Sequence, residues 1–128
     1  MVLTGPVRKV LIVDDSRLLQ TRLMESLLEV DNDMIIYQAF NCKEAMELFS
    51  SLEPETVILD LELPDGSGIN LLRKFKEDNP GVNVIIFTNY ATNEFKKSCM
   101  DLCAIDFIDK SNFLSLINTM ISLKFSQN

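Results

Sequence analysis

Short apolar runs that stop at polar residues alternate along the chain with stretches whose apolar positions recur every three or four residues. Lys9–Val13 (KVLIV) is nearly continuous and halts at Asp14-Asp15, the pattern of a strand buried on both faces. Ser16 is placed to cap a helix in which Leu19, Leu23 and Leu27 recur at helical spacing, flanked by Leu18, Met24 and Leu28, as far as Glu29. Turn residues Asp31 to Asp33 precede a strand at 34–39, and Asn41 can cap a helix bearing Ala45, Met46, Phe49 and Leu52. Pro54 breaks that helix. Thr56–Leu59 reads as a third buried strand ending at Asp60, and Pro64-Asp65-Gly66 as a loop into a helix with Ile69, Leu72 and Phe75 inward. Asn79-Pro80-Gly81 stops it; a fourth strand at 82–87 runs to Thr88 and a short helix covers 93–102. A fifth strand at 104–108 contains Asp106, which suggests a sheet edge. Asp109-Lys110 then leads to a helix with Phe113, Ile117, Met120 and Ile121 inward.

Five strand-helix units in strict alternation predict an α/β fold: one doubly wound, five-stranded parallel sheet with helices on both faces. Residues 1–128 are expected to form a single domain, because a chain of 128 residues with 47% hydrophobic composition fills one core and leaves no room for a second. In such sheets the ligand site lies outside the carboxyl ends of the strands. Those ends are where this chain keeps its polar residues.

The formal net charge of −7 sets the surface against nucleic-acid phosphate, so direct nucleic-acid binding is not expected. No apolar run approaches the roughly 20 residues of a membrane span, and Met1 to Lys9 lacks a signal-peptide core, so the expected location is the cytoplasm. Cys42, Cys99 and Cys103 lie outside paired-ligand spacing; Cys99 and Cys103 fall on one helical face and read as buried packing. The chain has no histidine, which removes Ser-His-Asp chemistry, His-ligated zinc and a phosphohistidine of its own.

Aligned on the carboxyl edge, the strands deliver Asp14 and Asp15, Asp60, Thr88 and, after the fifth, Lys110. Each acid taken singly reads as well as a helix cap, Thr88 as a turn hydroxyl and Lys110 as a solvated charge. Three carboxylates in one pocket repel one another and are tenable mainly around a hard cation, and all-oxygen donors favour Mg²⁺. Mg²⁺ keeps open positions for phosphate oxygens, so a phosphoryl ligand is expected, with Asp60 as nucleophile and Lys110 and Thr88 beside it.

These residues sit in Leu11-Ile12-Val13-Asp14-Asp15-Ser16, in residues 58–68 around Asp60, in Phe87-Thr88 and in Ala104-Ile105-Asp106-Phe107-Ile108-Asp109-Lys110. In order and spacing the chain resembles a receiver domain of bacterial two-component response regulators over nearly its whole length. The resemblance implies a flavodoxin-like sheet of order 2-1-3-4-5. It implies Asp60 as phosphoacceptor, with Mg²⁺ on Asp15 directly, on Asp14 through water, on Asp60 and on the Glu62 carbonyl. Lys110 and Thr88 would grip the phosphoryl group. Phe107 would be the aromatic that swings inward as Thr88 moves; by its residue type alone it is a core aromatic. The implied partners are a sensor histidine kinase or phosphotransfer protein, and an effector or second copy bound through the face of the fourth helix, fifth strand and fifth helix.

Glu62 and Tyr90 match the variable positions that flank the phosphoryl group in the family and are expected to tune its lifetime. Glu62 can orient water or repel phosphate; the Tyr90 ring covers the approach or serves partner contact. Three departures stand out: Cys103 where the family usually has glycine, Ser111 where it has a cis-linked proline, and Asn89 where it has a small residue. The loop after Lys110 is therefore expected to be shaped differently. The expected function is a phosphorylation-dependent switch that catalyses only its own phosphotransfer and slow dephosphorylation. The alternatives are a pseudo-receiver acting as a constitutive interaction module, and a phosphatase of the haloacid-dehalogenase type. The latter carries Asp-x-Asp after the first strand, whereas here Asp60-Leu61-Glu62 follows the third.

Overall fold

The computed structural model describes residues 8–126; the signal-peptide reading of Met1 to Lys9 lies, for residues 1–7, outside them. The chain runs β1 (Lys9–Val13), α1 (Arg17–Val30), β2 (Ile35–Ala39), α2 (Cys42–Leu52) and β3 (Thr56–Leu59). It continues through α3 (Gly68–Asp78), β4 (Asn83–Thr88), α4 (Asn93–Asp101), β5 (Asp106–Asp109) and α5 (Phe113–Ser126). All five strands pair in parallel in the order β2-β1-β3-β4-β5, the order the resemblance implies.

Alternate residues of the central strands feed two separate cores. Val10, Ile12, Ile58, Ile85 and Phe87 pack under Leu23 and Leu27 of α1 and Leu116 and Met120 of α5. Leu11, Val13, Val57, Leu59, Val84 and Ile86 pack under α2, α3 and α4, where Phe49 and Phe75 stack at 4.1 Å between ring centroids. Both faces being covered is why these strands read as unbroken apolar runs rather than as alternations.

Several expectations need correction. β5 begins at Asp106, not 104, because residues 103 and 104 are spent ending α4. Cys103 N–H donates to the Met100 carbonyl and Ala104 N–H to the Cys99 carbonyl, a Schellman motif with Cys103 in the left-handed region at φ 67°. This same turn carries Cys103 off the helical face, so Cys99 is buried and Cys103 exposed rather than both packed. The inward row of α1 is Gln20, Leu23 and Leu27, which leaves Leu18 66% exposed, and Leu116 replaces Ile121 in the α5 core row. The loop after Asp60 holds a two-residue antiparallel hairpin, Glu62–Leu63 with Gly66–Ser67.

Candidate functional site

Each strand hands its polar residue to the carboxyl edge while the ladder is still forming. Asp14 N–H donates to the Ala39 carbonyl at 3.0 Å and Asp60 N–H to the Val13 carbonyl at 3.0 Å, so both acids continue the sheet by one residue. Ser16 caps α1 by accepting the Leu19 N–H at 3.2 Å, and its own N–H holds Asp14 Oδ1 at 2.9 Å. Asp14 and Asp60 are buried, and Asp15 is exposed.

Two residues of the segment after Asp60 shape the ground under it. Gly68 opens α3 against it: a Cβ there would lie 2.1 Å from the Asp60 carbonyl oxygen and 2.7 Å from Leu61 Cα, so only glycine fits. Asp65 reaches back to the start of α2, accepting the Cys42 N–H at 2.7 Å and the Lys43 N–H at 3.1 Å. Those bonds, the Cys42 N–H above all, hold the Asp65 carboxyl below its ordinary value.

Lys110 joins the set. Its backbone N–H donates to the Thr88 carbonyl at 2.9 Å, and its Nζ lies 2.8 Å from Asp14 Oδ2 and 2.9 Å from Asp60 Oδ2. Burial pulls the ammonium pKa down, but the two carboxylates outweigh it and the net shift is upward. Burial pushes the Asp14 carboxyl above its ordinary value, against the pull of Lys110 and the Ser16 N–H. Carboxylate oxygens of Asp14, Asp15 and Asp60 lie within 4.8 Å of one another. Three carboxylates against one ammonium leave two negative charges uncompensated, and a divalent oxygen-seeking cation matches both the charge and the donor set.

The remaining predicted residues stand around this core. Thr88 is fully buried, and its hydroxyl oxygen accepts the Tyr90 N–H at 3.1 Å. The Glu62 N–H makes a long 3.4 Å contact with Asp60 Oδ1. Tyr90 is 48% exposed, and a hydrogen bond to the Glu62 carboxylate pushes its phenol above the ordinary value. The structure thus pairs two residues that the sequence presents separately. Phe107 is half-buried against the core beneath α2, α3 and α4. After Lys110 the chain turns without a cis peptide, Ser111 N–H donating to Asp109 Oδ1 at 2.8 Å.

A family model described as the response regulator receiver domain matches residues 10–122. A protein-glutamate methylesterase/protein-glutamine glutaminase of Treponema denticola is 34% identical over 104 residues, 80% of this chain and 28% of that protein. The chain spans under a third of the length of such curated relatives, 28% and 32% for two of them. Among solved structures, the non-phosphorylated HemR receiver domain of Leptospira biflexa superimposes with a TM-score of 0.80 at 27% identity, covering 90% of this chain and 94% of that one. The signal receiver domain of a DNA-binding response regulator from Colwellia psychrerythraea gives 0.86 at 24% identity, covering 91% and 97%.

Proposed function

The chain belongs to the response regulator receiver family, and from that premise we propose that it is a phosphorylation-dependent signalling switch whose acceptor is Asp60. The observation that carries this reading is the Lys110 bridge between Asp14 and Asp60 inside a site still two charges negative. Asp14, Asp15, Asp60 and the Glu62 carbonyl are the groups that would hold Mg²⁺, Asp14 through water. When bound, Mg²⁺ would neutralise charge on the transferred phosphoryl group.

An Asp60 carboxylate oxygen attacks phosphorus as the bond from phosphorus to the donor histidine nitrogen breaks, and that nitrogen leaves with the electron pair. Lys110 Nζ, already on Asp60, follows the charge onto a phosphoryl oxygen. Thr88 turns its hydroxyl from the Tyr90 N–H toward another, and Phe107 moves inward behind it. The donor is a sensor histidine kinase or phosphotransfer protein. The changed surface, α4, β5 and α5, binds an effector or a second copy of the chain, in the cytoplasm. No helix of the described residues is long and apolar enough to cross a membrane.

Acetyl phosphate with Mg²⁺ followed by intact-mass measurement tests this. The wild type should gain one phosphoryl group and Asp60→Ala none, with its fold kept. No gain in the wild type points to a constitutive pseudo-receiver, and repeated turnover of the donor to a phosphatase.

A further inference from the structure

α1 buries a polar side chain in a row of leucines. Gln20 is fully buried beside Leu23 and Leu27, a position where an apolar residue would be the ordinary choice. The two N–H donors of its Nε2 are shared among three main-chain carbonyls: Ile12 at 3.0 Å, Asp14 at 3.2 Å and Ala39 at 2.9 Å. Among the described residues none donates to its Oε1. The protein contacts of this amide are therefore made through its donors.

The three acceptors mark one place in the fold. Ile12 belongs to the end of β1, Ala39 closes β2, and Asp14 is the first acid beyond the ladder. The Asp14 side chain is anchored by the Ser16 N–H and by Lys110, but Lys110 is shared with Asp60. Gln20 differs from both in holding the main chain rather than the carboxylate. We infer that Gln20 is a positioning residue for the cation site: it fixes the Asp14 main chain between two strand ends, and so sets the spacing of the Asp14 and Asp15 carboxylates.

This rests on the cation reading above, and the experiment separates the two. Gln20→Met keeps length and volume and removes both donors. Its Mg²⁺ affinity, measured by calorimetry, should fall about tenfold or more against the wild type, the range typical of lost outer-shell support. Urea unfolding in EDTA measures the loss of stability separately. In the wild type, the side-chain NH₂ resonances of Gln20 should shift during a Mg²⁺ titration with the same midpoint as the Asp14 and Asp15 amides. A folded Gln20→Met that binds Mg²⁺ as the wild type does overturns the inference. If that variant does not fold, unmoved Gln20 NH₂ resonances in the wild type overturn it. A wild type that binds no Mg²⁺ defeats the cation reading itself, and this inference with it.

Discussion

The two edges of the sheet treat charge in opposite ways. At the amino edge, cations meet the carbonyls that helices leave unpaired at their C-termini: Lys124 Nζ lies 2.9 Å from the Val30 carbonyl of α1, and Lys9 Nζ 3.1 Å from the Leu52 carbonyl of α2. Neither α1 nor α2 has a basic residue in its own last turn, so the cations are borrowed from β1 and α5. At the carboxyl edge one lysine is divided between two carboxylates, a third acid stands beside them, and the most buried of the acids resists ionisation. The amino edge satisfies its charges and holds the fold. The carboxyl edge keeps an excess of negative charge, the arrangement that the proposed cation site requires.

Removing the shared cation should break this contrast most severely. Lys110→Met leaves Asp14 and Asp60 buried and facing each other, at about 3 kcal/mol in urea unfolding without Mg²⁺. Mg²⁺ should restore more stability to the variant than it adds to the wild type. Equal increments would sink the view of the edge as a charge excess. The Lys110 pKa is raised, so its contribution is fully present below the ordinary value of 10.5 and is lost as pH rises through the higher folded value. The variant's deficit should accordingly shrink in that alkaline window.

At the same edge, Tyr90→Ala should speed loss of phosphate from Asp60 about tenfold, the equivalent of ~1.4 kcal/mol of barrier, by opening a path for water. Tyr90 and Glu62 line one groove, and Glu62 is the first residue of the hairpin that follows Asp60. Single-turnover dephosphorylation decides it, an equal or slower rate in the variant counting against shielding.

The amino edge should answer more mildly. Lys124→Met is expected to lower stability by about 1 kcal/mol, with Mg²⁺ affinity and phosphorylation unchanged. An altered Mg²⁺ response would erase the division between edges. Cys103→Gly should raise the urea midpoint slightly, for a gain in stability of about 0.5 kcal/mol. It relieves a left-handed residue and gives part of that gain back as unfolded-state entropy. A lower midpoint would show that the Cys103 side chain contributes packing that its exposure conceals.

What the sequence made legible follows from distance along the chain. Asp14, Asp15, Asp60, Thr88 and Lys110 each stand at or just beyond a strand end, so locating five apolar runs was enough to line them up. The same runs gave the sheet, because strands buried on both faces announce themselves without help from partners. Residues whose roles come from distant neighbours stayed hidden. Gly68 is required by the Asp60 carbonyl, Asp65 caps a helix that begins 23 residues earlier, and Gln20 serves two strands at once. The only local sign of Gln20 was a polar residue on the inward row of α1. The start of β5 is not legible in the sequence, because Cys103 does not advertise a left-handed turn as glycine would.

The Lys110 bridge also fixes when in the life of the chain the site comes into being. Asp60 and Lys110 are 50 residues apart, and Asp14 lies further still toward the amino end. During synthesis the three acids therefore leave the ribosome well before their counter-charge, which follows all five strands. Until β5 is released and docked on β4, the three carboxylates face one another without an ammonium between them. The cluster of acids and its ammonium is thus complete only when β5 has joined the sheet.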